Sequence, residues 1–227
     1  MLPSGDGVVH VVDAYKHVGT TICSEAGWTK EILARCSSGM SAYVPLASKV
    51  FGCQLLTPEL RISLARSLVE SRVFLHAGLW PQLPQTARAR LEDTYLRPMR
   101  MIAGACKGAG VWKIPNEKIL QDLGRPSLDN RLSAARLLFL ENVLNRCPPS
   151  LARLLSAKGR DNAVIPWVAA VRADLQIMAD RLGSKVSGLG HPTHTSSRWM
   201  HAIQSCPFEL KELVALAVFC LLLLRCL

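Results

Sequence analysis

The stretch TPELRISLARSLVESRVFLHAGLW, residues 57–80, decides how the chain reads. It opens with a helix start: Thr57 is placed to cap, Pro58 fits the first helical position, and Glu59 sits in the first turn. Leu60, Leu64, Leu68, Leu75 and Leu79 then recur at helical spacing, which predicts an amphipathic helix with a leucine stripe turned to a core. At about 100° per residue, Arg61 and Arg72 fall within about 20° of each other beside that stripe.

Downstream and upstream of this stretch, almost everything reads the same way. A helix is predicted over about 28–50, with Trp28, Ile32, Leu33, Cys36 and Met40 in phase. Another covers 84–103; Pro98 removes a backbone donor and should kink it, and Gly104, Gly108 and Gly110 end it. A small helix near 116–123 closes at Gly124. Ser127 opens a longer one with Leu128, Leu132, Ala135, Phe139 and Val143 inward, stopped by Cys147-Pro148-Pro149. Residues 150–157 read as one short helix, and Val168, Val171, Leu175, Met178 and Leu182 form a stripe ended by Gly183. Residues 183–197 are a linker by composition, and the tail carries an apolar run from Leu213 to Leu224.

The one strand-like segment is 7–22. Val8, Val9, Val11, Val12, Val18, Thr20, Thr21 and Ile22 are β-branched, and Asp13-Ala14 is the expected turn between two strands. A lone hairpin is marginal in water and must lean on something, either the helices that follow or a sheet that this chain lacks. The expected class is therefore mainly α, a short N-terminal β-hairpin followed by a helical bundle. The expected divisions are 1–24 (hairpin), 25–110, 111–182, 183–197 (linker) and 198–227.

The chain has 227 residues, 49% hydrophobic and only 6% aromatic, so Leu, Ala and Val must build the core. Its formal net charge is +10. Residues 1–110 hold 12 basic and 8 acidic groups and the rest 15 and 9, so any basic face must be assembled by folding. Such a balance points to nucleic acid or a membrane surface, with solubility as the plain alternative. Eight cysteines without a CxxC, and no N-terminal signal peptide, point to reduced thiols in an intracellular protein, nuclear or cytoplasmic.

Catalytic motifs are missing. The sequence has no P-loop, GxSxG, HExxH or EF-hand loop, and no GxGxxG after a strand. No two Asp residues are adjacent; Glu92-Asp93 point about 100° apart on a helix and cannot clamp one metal. His191, His194, His201 and Cys206 form H-x2-H-x6-H-x4-C, all zinc-capable ligand types, but a proline follows His191 in a Gly-rich stretch. Surface histidines are the better reading, and no catalytic residue, metal or cofactor is assigned.

On the helix over 84–103, Arg90, Arg97 and Arg100 fall at i, i+7 and i+10 and share a face. With Arg61 and Arg72 they could reach successive phosphates of a duplex; the alternative is a solvated face partly paired with Glu59, Glu70 and Glu92.

An ordered series of short motifs favours the first reading. Ala14-Tyr15-Lys16-His17-Val18-Gly19-Thr20 is followed by Lys30-Glu31-Ile32 to Arg35. Arg61, Leu64, Val69 and Ser71 come next, then Val73 to Trp80, then Leu96 to Arg100, Ile102 and Gly104. The series ends with Ile119-Leu120, Leu123-Gly124-Arg125-Pro126-Ser127-Leu128 and Arg131-Leu132. Together, over about residues 8–157, they resemble the region after the catalytic palm in non-LTR (LINE-type) retrotransposon reverse transcriptases. His17-Val18 stands where that family has an aromatic residue and Leu, and His76-Ala77 where Tyr is usual.

The resemblance implies a primer-grip hairpin with Lys16 and His17, followed by a helical thumb that holds a template–primer duplex of RNA or DNA. It also implies that the fingers, the palm and the palm's Mg lie outside this chain, which is then inactive as a polymerase alone. Two other readings stand beside it. One is a helical protein attached to a membrane by its C-terminal segment, for which 12 apolar residues fall short of the roughly 20 that span a bilayer. The other is a decayed fragment with no activity.

Overall fold

The computed structural model describes residues 2–4, 7–9, 14–17, 20–23, 28–104, 114–148, 153, 163–183, 188–190, 192, 196–205 and 212–214. The protein is mainly helical, and the chain folds as two compact units. The first comprises Met1–Leu75 and Leu83–Ile102, the second His76–Gln82 and Ala103–Leu227.

Four short strands precede the helices of the first unit: β1 (Leu2–Ser4), β2 (Gly7–Val9), β3 (Ala14–His17) and β4 (Thr20–Cys23). They form two separate antiparallel ladders, β1 with β2 and β3 with β4. The single hairpin turning at Asp13-Ala14 is therefore not found. Val8 and Val9 pair back onto Pro3 and Leu2, and Thr20, Thr21 and Ile22 onto His17, Lys16 and Tyr15. The sequence favours this arrangement because two residues, one of them glycine (Gly5 or Gly19), separate each pair of strands.

The helical part of the first unit is α1 (Thr29–Tyr43), α2 (Pro58–Ala65), α3 (Ser71–Val73) and α4 (Gln85–Ile102). After α1 the chain stays helical through a 3-10 turn (Val44–Leu46) and a π-helical turn (Ala47–Phe51). Ile32, Cys36, Phe51, Ala65, Val69, Val73, Leu91, Tyr95 and Met99 are among its buried residues. Aromatic contacts brace it: Tyr43 stacks on Phe51 at 5.7 Å, and Phe74 meets Tyr95 edge-on at 5.5 Å. α1 can lie close because residue 39 is glycine; a Cβ there would come within 2.2 Å of Val73 Cγ2. Pro98 is buried within α4, and the helix continues through it to Ile102.

The Thr57 cap forms as expected, its Oγ1 accepting from Leu60 N–H at 3.4 Å. Beyond α2 the winding is no longer regular. Arg66–Glu70 is a second π-helical turn, in which the Ser71 N–H bonds the Arg66 carbonyl five residues back. The extra residue retards the rotation, so positions beyond it are out of phase with a 3.6-residue count by roughly 100°. The buried side of this helix is Arg61, Ala65, Val69, Glu70 and Val73. The leucine stripe faces outward: Leu60 is 47% exposed, Leu68 39% and Leu75 40%.

The second unit has α5 (Asn116–Asp122), α6 (Leu128–Arg146), α7 (Pro166–Leu182) and α8 (Ser196–Ser205). Their boundaries follow the sequence signals. Ser127 Oγ accepts from Asn130 N–H at 3.3 Å, and Gly124 and Gly183 take positive φ angles of 61° and 49°. Leu137, Leu140, Val171, Leu175, Met178, Trp199, Ile203 and Val214 form one core cluster. The segment His76–Gln82 is built into this unit. His76 adopts a left-handed conformation, φ 61°, and starts a 3-10 turn (Ala77–Leu79) seated on α6. Gly78 has no room for a Cβ, which would meet Phe139 Cβ at 2.6 Å and the Ala135 carbonyl at 2.8 Å. Trp167 locks the turn, donating its Nε1–H to the Gly78 carbonyl at 2.7 Å while its ring meets Phe139 edge-on.

Candidate nucleic-acid interface

α4 carries the arginine row. Its inner side is held by Leu91, Tyr95, Leu96 and Met99, which leaves Arg90 and Arg97 exposed and Arg100 half-buried. The row is not bare positive charge. Asp93 accepts from Arg97 Nε at 3.1 Å and Nη2 at 2.9 Å, and Glu92 lies 3.7 Å from Arg88. Both carboxylates of the Glu92-Asp93 pair thus face arginines of their own helix, four residues away in either direction. These pairs are solvent-exposed or half-exposed, so each holds its arginine by about 0.5 kcal/mol and a phosphate can displace the carboxylate.

Arg72 is exposed, but Arg61 is not its neighbour on that surface. Arg61 is 4% exposed, and its Nη1 donates to the Phe51 carbonyl at 3.0 Å and the Ile102 carbonyl at 3.3 Å. It ties off the last carbonyl of α4 and the end of the first π-helical turn, which makes it a structural anchor. The π-helical turn between the two arginines is the reason that their predicted common face does not exist. Lys16 and His17 lie in β3, opposite Thr21 and Thr20; their side chains fall outside the described residues.

Sequence reasoning missed the buried charges. Glu31 and Arg35, one turn apart on α1, form a buried pair at 2.6 Å, and Arg136 of α6 pairs with Asp174 of α7. The i, i+4 spacing of Glu31 and Arg35 was the available signal; for Arg136 and Asp174 no local pattern exists. Cys36 packs beside Thr94 in the first unit, and burial pushes its thiol up from the ordinary range, with the Thr94 hydrogen bond and the charge of Arg90 acting against that. Cys36, Cys53 and Cys147 are free thiols.

Among the described residues no three His, Cys, Asp or Glu side chains come together in a metal-binding group. His201 is exposed on α8, with its Nδ1 3.4 Å from the Ser205 hydroxyl; His191, His194 and Cys206 lie outside the described residues. No helix among the described residues is long and apolar enough to cross a membrane; the run from residue 215 to 224 lies outside them. The chain matches no family model, no curated protein sequence and no solved structure.

Proposed function

We propose that this chain is a non-catalytic, nucleic-acid-gripping helical module of the kind found after the palm in non-LTR retrotransposon reverse transcriptases. The observation that carries the reading is the row Arg90, Arg97 and Arg100 along an 18-residue helix in a chain of net charge +10. The ordered motif series from Ala14 to Leu132 supports the parentage. Arg72 extends the contact set, and Arg61 is not part of it.

In this reading the arginine heads meet successive phosphates of a template–primer duplex, displacing Asp93 from Arg97 as they do so. Their stems stay packed against the helix. The β3–β4 ladder, with Lys16 and His17, lies against the primer strand. Binding is electrostatic and largely independent of base sequence. The palm, the fingers and their Mg belong to a partner segment.

The test is equilibrium binding of a short RNA–DNA duplex followed by fluorescence anisotropy. Replacing Arg90, Arg97 and Arg100 together by Gln is expected to weaken binding by at least about 10-fold. A triple variant that binds as tightly as the parent chain would remove the reading.

A further inference from the structure

Asp93 stands inside the arginine row. At about 100° per residue along α4, Arg90, Asp93 and Arg97 fall within about 60° of one another on the outer side, and all three are exposed. Arg90 and Arg97 lie about 10 Å apart along the helix axis, so a phosphate strand that touches both passes over the carboxylate between them. Glu92, the preceding residue, is turned about 100° away from Asp93 and pairs with Arg88 instead.

The contact that Asp93 makes is the one a phosphate would make. Arg97 Nε and Nη2 donate to Asp93 Oδ2 at 3.1 and 2.9 Å, which occupies the edge of the guanidinium that takes an anion through two donors. The two side chains are 45% and 51% exposed, so the pair is weak and opens readily. Opening it does not remove the negative charge, which stays beside the phosphate that takes its place. The carboxylate thus acts on a bound strand twice, as a competitor for Arg97 and as a repulsive neighbour.

We propose that Asp93 is an internal competitor, a carboxylate that closes Arg97 in the free chain and sets how tightly the row holds a phosphate backbone. Resting on the duplex-binding reading above, it adds the regulation of that same site.

Binding of a short RNA–DNA duplex to the full chain, followed by fluorescence anisotropy, tests the proposal. Asp93→Asn is expected to tighten binding about 5-fold. Glu92→Gln removes the same charge one residue away and off the row, and should leave affinity within about 2-fold of the parent. In an Arg97→Gln background, where only the repulsion is left to relieve, the gain from Asp93→Asn should shrink to about 2-fold. Three outcomes would overturn the proposal while leaving arginine-dependent binding intact: Asp93→Asn no tighter than the parent, Glu92→Gln tightening binding as much, or an equal gain with and without Arg97. A parent chain that binds no duplex would remove the proposal together with the reading beneath it.

Discussion

Arg136 and Asp174, 38 residues apart, meet through two contacts in the interior of the second unit, Nε to Oδ2 at 2.5 Å and Nη2 to Oδ1 at 2.9 Å. The pair joins α6 to α7, and Arg136 Nη1 also reaches the Trp80 carbonyl at 3.5 Å. One guanidinium thus ties both helices to the segment His76–Gln82. Two parallel donors on a carboxylate fix orientation as well as distance.

Removing one partner leaves an uncompensated buried charge. Asp174→Ala is expected to cost about 3–5 kcal/mol, whereas Arg136→Met with Asp174→Leu should recover most of that loss. Urea unfolding followed by tryptophan fluorescence checks it, since Trp80, Trp167 and Trp199 all belong to this unit. A cost below about 1 kcal/mol for Asp174→Ala would show the pair to be dispensable.

Gly39 and Gly78 each sit where a neighbour leaves no room for a Cβ. Gly39→Ala forces its methyl against Val73 and should destabilise by about 1–3 kcal/mol; adding Val73→Ala should restore part of it, giving a favourable coupling near 1 kcal/mol. Gly78→Ala should cost as much with no such rescue, because one neighbour is the Ala135 backbone carbonyl. Thermal unfolding of the three single variants and the double variant measures both.

Burial raises the Cys36 thiol pKa, so the folded state favours the protonated form more than the unfolded chain does. Its contribution to stability is fully present below the ordinary thiol range and is lost as pH rises through the elevated folded value. Peptide-mapped alkylation at pH 8 should therefore modify Cys53 and Cys147 well before Cys36, and Cys36→Ser should flatten the fall in stability above about pH 9. Equal alkylation of all three would contradict the burial.

Much of the helical order was legible. Thr57, Ser127, Gly104, Gly124 and Gly183 mark helix ends by local chemistry, and the structure uses each of them. The stripe Val168, Val171, Leu175 and Met178 is buried as its spacing requires. The reading went wrong where local rules carry no information. Nothing in residues 66–70 announces a π-helical turn, yet it separated Arg61 from Arg72. Leu60 and Leu64 precede that turn, and it is Arg61 and Ala65, one position further on, that take the inner side of the helix. Gly78 reads as an ordinary turn glycine until Phe139, from another part of the chain, is seen against it. α4 runs on through Pro98, with Arg90 and Arg97 exposed and Arg100 half-buried along it.

The salt dependence of duplex binding tests the central claim most directly. Three phosphate contacts by Arg90, Arg97 and Arg100 should make the logarithm of affinity fall against the logarithm of salt with a slope steeper by about 2–3 than in the triple Gln variant. The account predicts that difference for any duplex sequence. Affinity indifferent to salt between about 50 and 200 mM, or equal slopes in parent and variant, would contradict it.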